Sequence, residues 1–515
     1  MKKIILIFTP FFLTAVVIYN SNSILFDSID SMNKSIHQSL HISFVRNKFI
    51  KIMDSFNPFI GELALSSIDI PEINIKLNKS SSDMLKKSIE DSFEDLNFKG
   101  WPYMSPQNNP YVDMEFTIDN QVYGGKLRLH GTDSIHYRNK KKSFAIKLSK
   151  KKLFQNMRRF SLLVINEASI SSIFSYKVSK LITGFKVNSY LVKVKINGIS
   201  QGVYVLEEKL SQELLEKNKY SGVDIVRPND EWDTQYQATH ETPFNWNISN
   251  TIIDLISEKE LGQLLTYKEL YYSDNIELLK AKLDLNNLAK TEALRFVFNK
   301  QVVGDNQKLL YDTSTGKFFR FFRTENTLRV MSRDLVKKTS YDTSLFGVDK
   351  KYPNRLFINL IKDNQFRQLR NQELWKIYLR KDELFGIYDE TFENNKASIL
   401  ADSNHYSNGK VLVYDDKKKM QIFRDNIRKT KEYLEYFNIQ TSIVSQNEQF
   451  VVKFNNLGNV PYEIKIGKIR YILNANVDER LYPSDSVLQV ELKQSPESII
   501  FRNTVTGKQY VEQLN

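Results

Sequence analysis

Residues 302–327, VVGDNQKLLYDTSTGKFFRFFRTENT, put Gly304-Asp305-Asn306 in front of a β-hairpin whose second strand runs into Arg323-Thr324-Glu325-Asn326. Carboxylate and amide oxygens on the two sides of one hairpin are donors of the kind that hold a hard dication. Phosphoryl transfer asks for more. A lysine on a strand must face the phosphates, one or two carboxylates must hold magnesium, and a further Asp should orient the acceptor hydroxyl. Ser143-Phe144-Ala145-Ile146-Lys147 has the strand-lysine form such a site uses, although so short a segment also fits a solvent-facing lysine on an ordinary strand.

Other chemistries find less support. With no cysteine in 515 residues there is neither a disulfide framework nor a thiolate metal site. The six histidines, at 37, 41, 130, 136, 240 and 405, lack the HExxH type of spacing, so zinc is not expected, although His130 and His136 flank one Gly-Asp turn. The formal charge of +13 comes from 73 Lys and Arg against 60 Asp and Glu. Its densest stretch, Asn139-Lys140-Lys141-Lys142 followed by Lys147, Lys150, Lys151 and Lys152, has no interleaved aromatics for stacking bases, so no nucleic-acid partner is expected.

Elements that would position these residues follow from periodicity. Residues 71–77 alternate as a strand, Ser80-Ser81-Ser82-Asp83 offers caps for a helix through Met84, Leu85, Ile89 and Phe93, and 112–130 forms a hairpin about Asp119-Asn120. A strand at 143–148 follows the lysine run. Residues 191–206, LVKVKINGISQGVYVL, turn at Asn197-Gly198 and end in Glu207-Glu208-Lys209. Residues 251–300 are mostly helical, with Asn286 or Asn287 capping a helix that buries Leu288, Leu294 and Phe298, and 354–438 read as several helices. After about residue 440, short alternating runs separated by Asn-Leu-Gly-Asn, Asn-Ala-Asn and Pro-Ser-Asp turns point to a small β-sandwich of the spacer or binding type.

At the other end, Met1-Lys2-Lys3 precedes an uncharged apolar run, Ile4 to Tyr19, that reads as a signal anchor in preference to a cleaved signal peptide. The two lysines keep that end in the cytoplasm, so a single-pass, extracytoplasmic protein is expected. A juxtamembrane helical stalk with Phe44, Phe49, Ile52 and Phe56 would follow.

Three segments in this order, LRLHGTDSIHYRNKKKSFAIKL (127–148), INGISQGVYVLEEKL (196–210) and VVGDNQKLLYDTSTGKFF (302–319), resemble the CotH kinase family, relatives of spore coat protein H. The form NGxxxGVYxLxEK at 197–209 is the most specific of them, and the resemblance covers about 70–438. It implies an atypical protein-kinase-like domain at 70–438, and with the anchor at 1–23, the stalk at 24–69 and the β-sandwich at 439–515 read from the residues themselves, an α+β chain is expected. It also implies ATP and magnesium as cofactors and protein hydroxyls as acceptors. Lys142 or Lys147 would contact phosphate, Glu208 would take the place of the family's hairpin carboxylate, Asp305 would stand by the acceptor hydroxyl, and Asn306 would face the metal.

Departures from the pattern matter as much. Where the family shows Trp-Asp-x-Asp for magnesium, Arg323, Thr324, Glu325 and Asn326 stand. Asn326 offers one amide oxygen, and Glu325, if still on a strand, points to the opposite face unless the strand ends or bulges. LLVINEASISSIF (162–174) lacks the Asp and Arg of the family and offers Glu167. Two readings therefore stand: an active kinase on the outer side of the membrane, or a catalytically altered, membrane-anchored protein that binds an envelope or surface partner.

Overall fold

The computed structural model describes residues 65–94, 104, 108–131, 136–137, 141–165, 169–220, 223–226, 269–270, 273–298, 309–320, 355–402, 409–446, 449–477 and 483–513. The first large element is a closed barrel of seven strands. Its strands are β1 (Glu72–Lys76), β2 (Val112–Ile118), β3 (Gln121–Leu129), β4 (Phe144–Leu148), β5 (Arg159–Val164), β6 (Ser189–Ile196) and β7 (Ile199–Glu208), in the order β1-β2-β3-β4-β5-β7-β6. Neighbours pair antiparallel except at the closure, where β1 runs parallel to β6 with Ile73 opposite Val194. The hairpins turn where the sequence places them: Asp119 and Asn120 have φ of 49° and 58°, and Asn197 and Gly198 have 49° and 80°. Two successive positive φ values make the mirror-image turn whose twist matches that of the strands.

The barrel is filled by one alternating set of side chains, among them Ile73, Ile75, Phe116, Leu127, Phe144, Ile146, Phe160, Leu162, Tyr204 and Leu206. Phe116 stands edge-on to Tyr123 and to Phe160, at 5.6 Å in each case. Helix α1 (Lys79–Glu94) is capped one turn earlier than the serine run suggests, because Asn78 Oδ1 accepts the Ser81 N–H at 2.8 Å.

Helix α2 (Ile170–Thr183) covers part of the barrel's outer face, with Ile170 and Ile173 in one buried cluster with Leu163, Leu191, Val203 and Val205. After β7 come α3 (Gln212–Lys217), β8 (Val223–Val226), α4 (Ile276–Lys282), α5 (Leu285–Phe298), β9 (Leu309–Asp312) and β10 (Lys317–Arg320). The last two strands form the expected hairpin, to which β8 adds in the order β10-β9-β8. Asp284, not Asn286 or Asn287, caps α5, accepting the Asn287 N–H at 3.0 Å. Asn287 is used elsewhere, since its Oδ1 accepts the Arg320 N–H at 2.8 Å. Helices α6 (Arg355–Lys362), α7 (Asn364–Leu379), α8 (Lys381–Ala401) and α9 (Gly409–Glu435) follow, and the fold is α+β.

Strands β11 (Ile439–Gln446), β12 (Gln449–Asn456) and β17 (Val487–Leu492) make one antiparallel C-terminal sheet. Strands β13 (Tyr462–Ile466), β14 (Ile469–Leu473), β18 (Ser498–Asn503) and β19 (Gln509–Gln513) make the other, in the order β14-β13-β18-β19, beside a small β15–β16 pair (Asn476–Val477, Pro483–Ser484). Their inward residues Val452, Phe454, Tyr462, Ile464 and Phe501 belong to the same buried cluster as Phe296, Phe423 and Leu434 of α5 and α9. Among the described residues no helix is long and apolar enough to cross a membrane, and the run Ile4 to Tyr19 lies outside them.

Candidate functional site

Strand register decides which side chains share a face. Lys126, Lys147 and Arg159 lie directly opposite one another on β3, β4 and β5. Two residues further along, Arg128, Ala145, Ser161, Glu207 and Ser189 form the next row across β3, β4, β5, β7 and β6. Because Leu127, Ile146, Phe160 and Leu206 fill the barrel, both rows lie on its outside. The row after that is apolar and packed under α2, with Leu163, Val205 and Leu191. The outer face therefore grades from apolar, through a buried polar row in which Ser161 and Glu207 are both almost fully covered, to a basic margin.

His130 closes the polar row. Its backbone N–H donates to Ser143 O at 2.9 Å, and its Nδ1 lies 3.1 Å from Lys209 Nζ and 3.3 Å from Ser161 Oγ. An ammonium only donates, so Nδ1 accepts and the ring proton of the neutral form belongs on Nε2. The His136 ring stands edge-on to it at 5.0 Å. The resulting group, His130, Ser161, Glu207 and Lys209, has no carboxylate pair of the metal-holding kind.

The sequence-picked lysines fall around this face. Lys147 points outward on β4, and its ammonium is held below the ordinary lysine range first by the charge of Arg159, then by partial burial and by Arg158, Lys126 and Lys150. Lys142, two residues before β4, is half-buried and is lowered by burial. Both shifts make the neutral amine easier to reach.

Its neighbour Lys141 is more deeply placed. Lys141 Nζ donates to Asp402 Oδ2 at 2.7 Å and to Val203 O, and lies 4.5 Å from the centre of the Tyr204 ring. Burial lowers its pKa against the opposing pull of Asp402.

The two hairpin glutamates point opposite ways. Glu208 shares the inward side with Phe160, accepts from Asn188 N at 3.0 Å and from Lys217 Nζ, and keeps Oε1 without a hydrogen bond. Burial raises its pKa although Lys217 pulls the other way. Glu207, Lys209, His130 and Lys141 were not singled out as site residues by sequence reasoning. Parity would have separated Glu207 from Glu208, but GVYVLEE is buried on both faces, so alternation is invisible there.

The third segment lies close to the second. Leu310 of β9 and Phe319 of β10 share a buried cluster with Leu214 and Leu215 of α3 and with Phe185, and Tyr220 stacks on Phe319 at 4.7 Å. The end of β10 is fastened to α5: Arg320 Nη1 donates to Glu292 Oε1 at 2.6 Å, and Arg295 Nη1 reaches both oxygens of the same carboxylate at 2.6 and 2.7 Å. Asp305, Asn306, Glu325 and Asn326, on the two sides of that hairpin, lie outside the described residues, as does Glu167. Among the described residues no group of three or more His, Asp or Glu side chains is placed to hold a metal. The start of α2 is occupied by protein, since Asp416 accepts from the Ile170 and Ser171 N–H groups at 3.3 Å each.

No match was found among curated proteins. The family model described as CotH kinase protein matches residues 127–440, which run from β3 through the helices to the start of β11 and make up more than half of the 515 residues. The chain belongs to the CotH kinase family.

Proposed function

We propose that this protein transfers the γ-phosphate of ATP to protein hydroxyls, acting as a membrane-anchored protein on the outer side of the membrane. One observation supports the reading: in a chain of the CotH kinase family, Lys147 of β4 and Arg159 of β5 share the outer face of the barrel with Lys209 at the end of β7, and the β9–β10 hairpin packs on α3, which follows that strand. Lys142 or Lys147 supplies a cation for the phosphates, and Glu208 stands at the end of β7, held by Lys217. Asp305 takes the proton of the acceptor hydroxyl as its oxygen bonds to the γ-phosphorus and the bond from that phosphorus to the bridging oxygen breaks, releasing ADP.

Magnesium, when bound, neutralises charge on the phosphate oxygens. Asn306, Glu325 and Asn326 are the residues left to hold it, and they bring a single carboxylate, a weaker set than paired aspartates for a hard dication. That same observation favours a second reading, in which the protein keeps the basic face as a binding surface for an envelope or surface partner and has lost transfer.

A thermal-shift titration with Mg-ATP, run beside a γ-phosphate transfer assay on a generic protein acceptor, separates the two. Saturation near 100 Kd should stabilise the fold by about 2.7 kcal/mol. Asp305→Asn should keep the shift and lose at least about a hundredfold in transfer. Absence of any shift at millimolar nucleotide sinks the first reading, and a shift without transfer leaves the second.

A further inference from the structure

The outer face of the barrel ends in a feature that phosphate binding alone does not require. Lys126, Lys147 and Arg159 are directly opposite one another on three consecutive strands. Like charges in directly opposed positions destabilise a sheet. Nothing in the fold offsets this closely: among the described residues Lys147 and Arg159 make no ion pair, and Lys126 has only a long contact of 3.9 Å to Asp113, with both side chains largely exposed. Four cations act together on Lys147, Arg159 foremost.

We propose that the Lys126–Lys147–Arg159 ladder docks a polypeptide segment bearing a short cluster of anionic groups, carboxylate or phosphate, beside the transfer site. Its extent sets the length of that cluster. Three neighbouring strands span two inter-strand spacings, about 10 Å. Asp113 lies opposite Lys126 on β2 and closes the row at that end, while at the other end the row meets Lys209, whose N–H donates to Arg159 O and whose Nζ lies 3.1 Å from His130 Nδ1. A long polyanion laid across the strands would meet the Asp113 carboxylate, whereas a few clustered anions fit short of it. Among the described residues the rings nearby are taken, Tyr123 within the barrel core and Tyr111 under Arg128 at 4.7 Å, which leaves them no open face for stacking bases. The ladder lies one row from Ser161 and Glu207, about 7 Å along the strands, so a segment docked there leads toward the polar row. Naming the segment as part of the acceptor rests on the proposed function; the binding itself does not.

Fluorescence anisotropy with the full chain and no nucleotide tests the binding. The probes are short labelled peptides that carry a glutamate cluster, a phosphoserine cluster, or neither. The charged peptides should bind with salt-dependent affinity, and the Lys126→Glu, Arg159→Glu double variant should weaken them roughly fivefold or more with its melting temperature not lowered. The Lys468→Glu, Lys493→Glu pair on the C-terminal sheets, with the same change in net charge, should leave binding intact. Equal binding of the neutral peptide, or of the charged peptides to the ladder variant, overturns the proposal. So does tighter ladder-dependent binding of tripolyphosphate, duplex DNA or phosphatidylserine vesicles than of either charged peptide. Phosphate transfer to a generic acceptor that persists in those cases leaves the proposed function standing.

Discussion

At the scale of single residues, Glu208 sits in an environment that works against its charge. It is 3% exposed, one carboxylate oxygen has no hydrogen bond, and burial raises its pKa from 4.5 despite Lys217. A carboxyl raised on folding stabilises the native state fully below its unfolded pKa, and that contribution fades as pH rises through the folded pKa. Glu208→Gln should therefore gain on the parent protein as pH rises above 4.5, seen as a melting-temperature difference that grows more positive with pH. A difference that moves the opposite way would mean that the bonds to Lys217 and Asn188 N outweigh burial. The residue types of the site were legible in the sequence, because Asn-Gly and Asp-Asn turns and an acidic strand end are local signals. Which of two adjacent glutamates faces outward was not, since both faces of β7 are covered.

Between elements, the junction of β7 with the end of α8 rests on one buried ion pair. Lys141 and Asp402 are separated by 261 residues, yet their side chains are 5% and 0% exposed, and Asp402 Oδ2 also accepts the Val203 N–H at 2.7 Å. Gly202 makes room for that carboxylate: it has φ of 85°, and a Cβ there would meet Asp402 Oδ1 at 2.1 Å. Removing one partner of such a pair strands the other charge away from water, so Lys141→Met should cost about 3 to 5 kcal/mol in urea unfolding. Adding Asp402→Asn should recover part of that loss, because the two residues act as a unit. Simple addition of the two losses would show that the pair is not coupled. Six of the seven barrel strands and their hairpin turns were readable from alternation and Asn-Gly chemistry, but β5, whose RFSLLV run does not alternate, and this contact were not. Three lysines in a row, 140–142, give no local reason to choose the middle one, and its partner lies on a distant helix end. The caps went astray for a related reason: Asn78 and Asp284 compete with equally suitable Ser and Asn neighbours, and geometry rather than residue type chooses between them.

For the whole molecule, the C-terminal strands are where sequence reading and packing part company in an instructive way. The alternating runs and turns after residue 440 correspond to β12, β13, β14 and β17, so their pattern was plain. What alternation does not report is what lies against the inward face. Here Asn503 Nδ2 donates to Leu434 O at 2.7 Å, Asn459 Nδ2 donates to Tyr433 O at 3.0 Å, and Arg367 reaches Ala475 O, all between the helices and the sheets. One buried apolar cluster runs across the same boundary, and residues 64–515 form one compact unit. Apolar surface shared in this way couples the unfolding of the two parts, because melting either exposes the buried face of the other to water. Calorimetry of the full chain should therefore give a single transition for the helices and C-terminal sheets, with Asn503→Ala lowering the stability of both together by about 1 to 3 kcal/mol through the unmet Leu434 carbonyl. Two resolved transitions, with only the C-terminal one moved by Asn503→Ala, would mean that the sheets melt as an independent module and that the shared cluster does not hold the parts together.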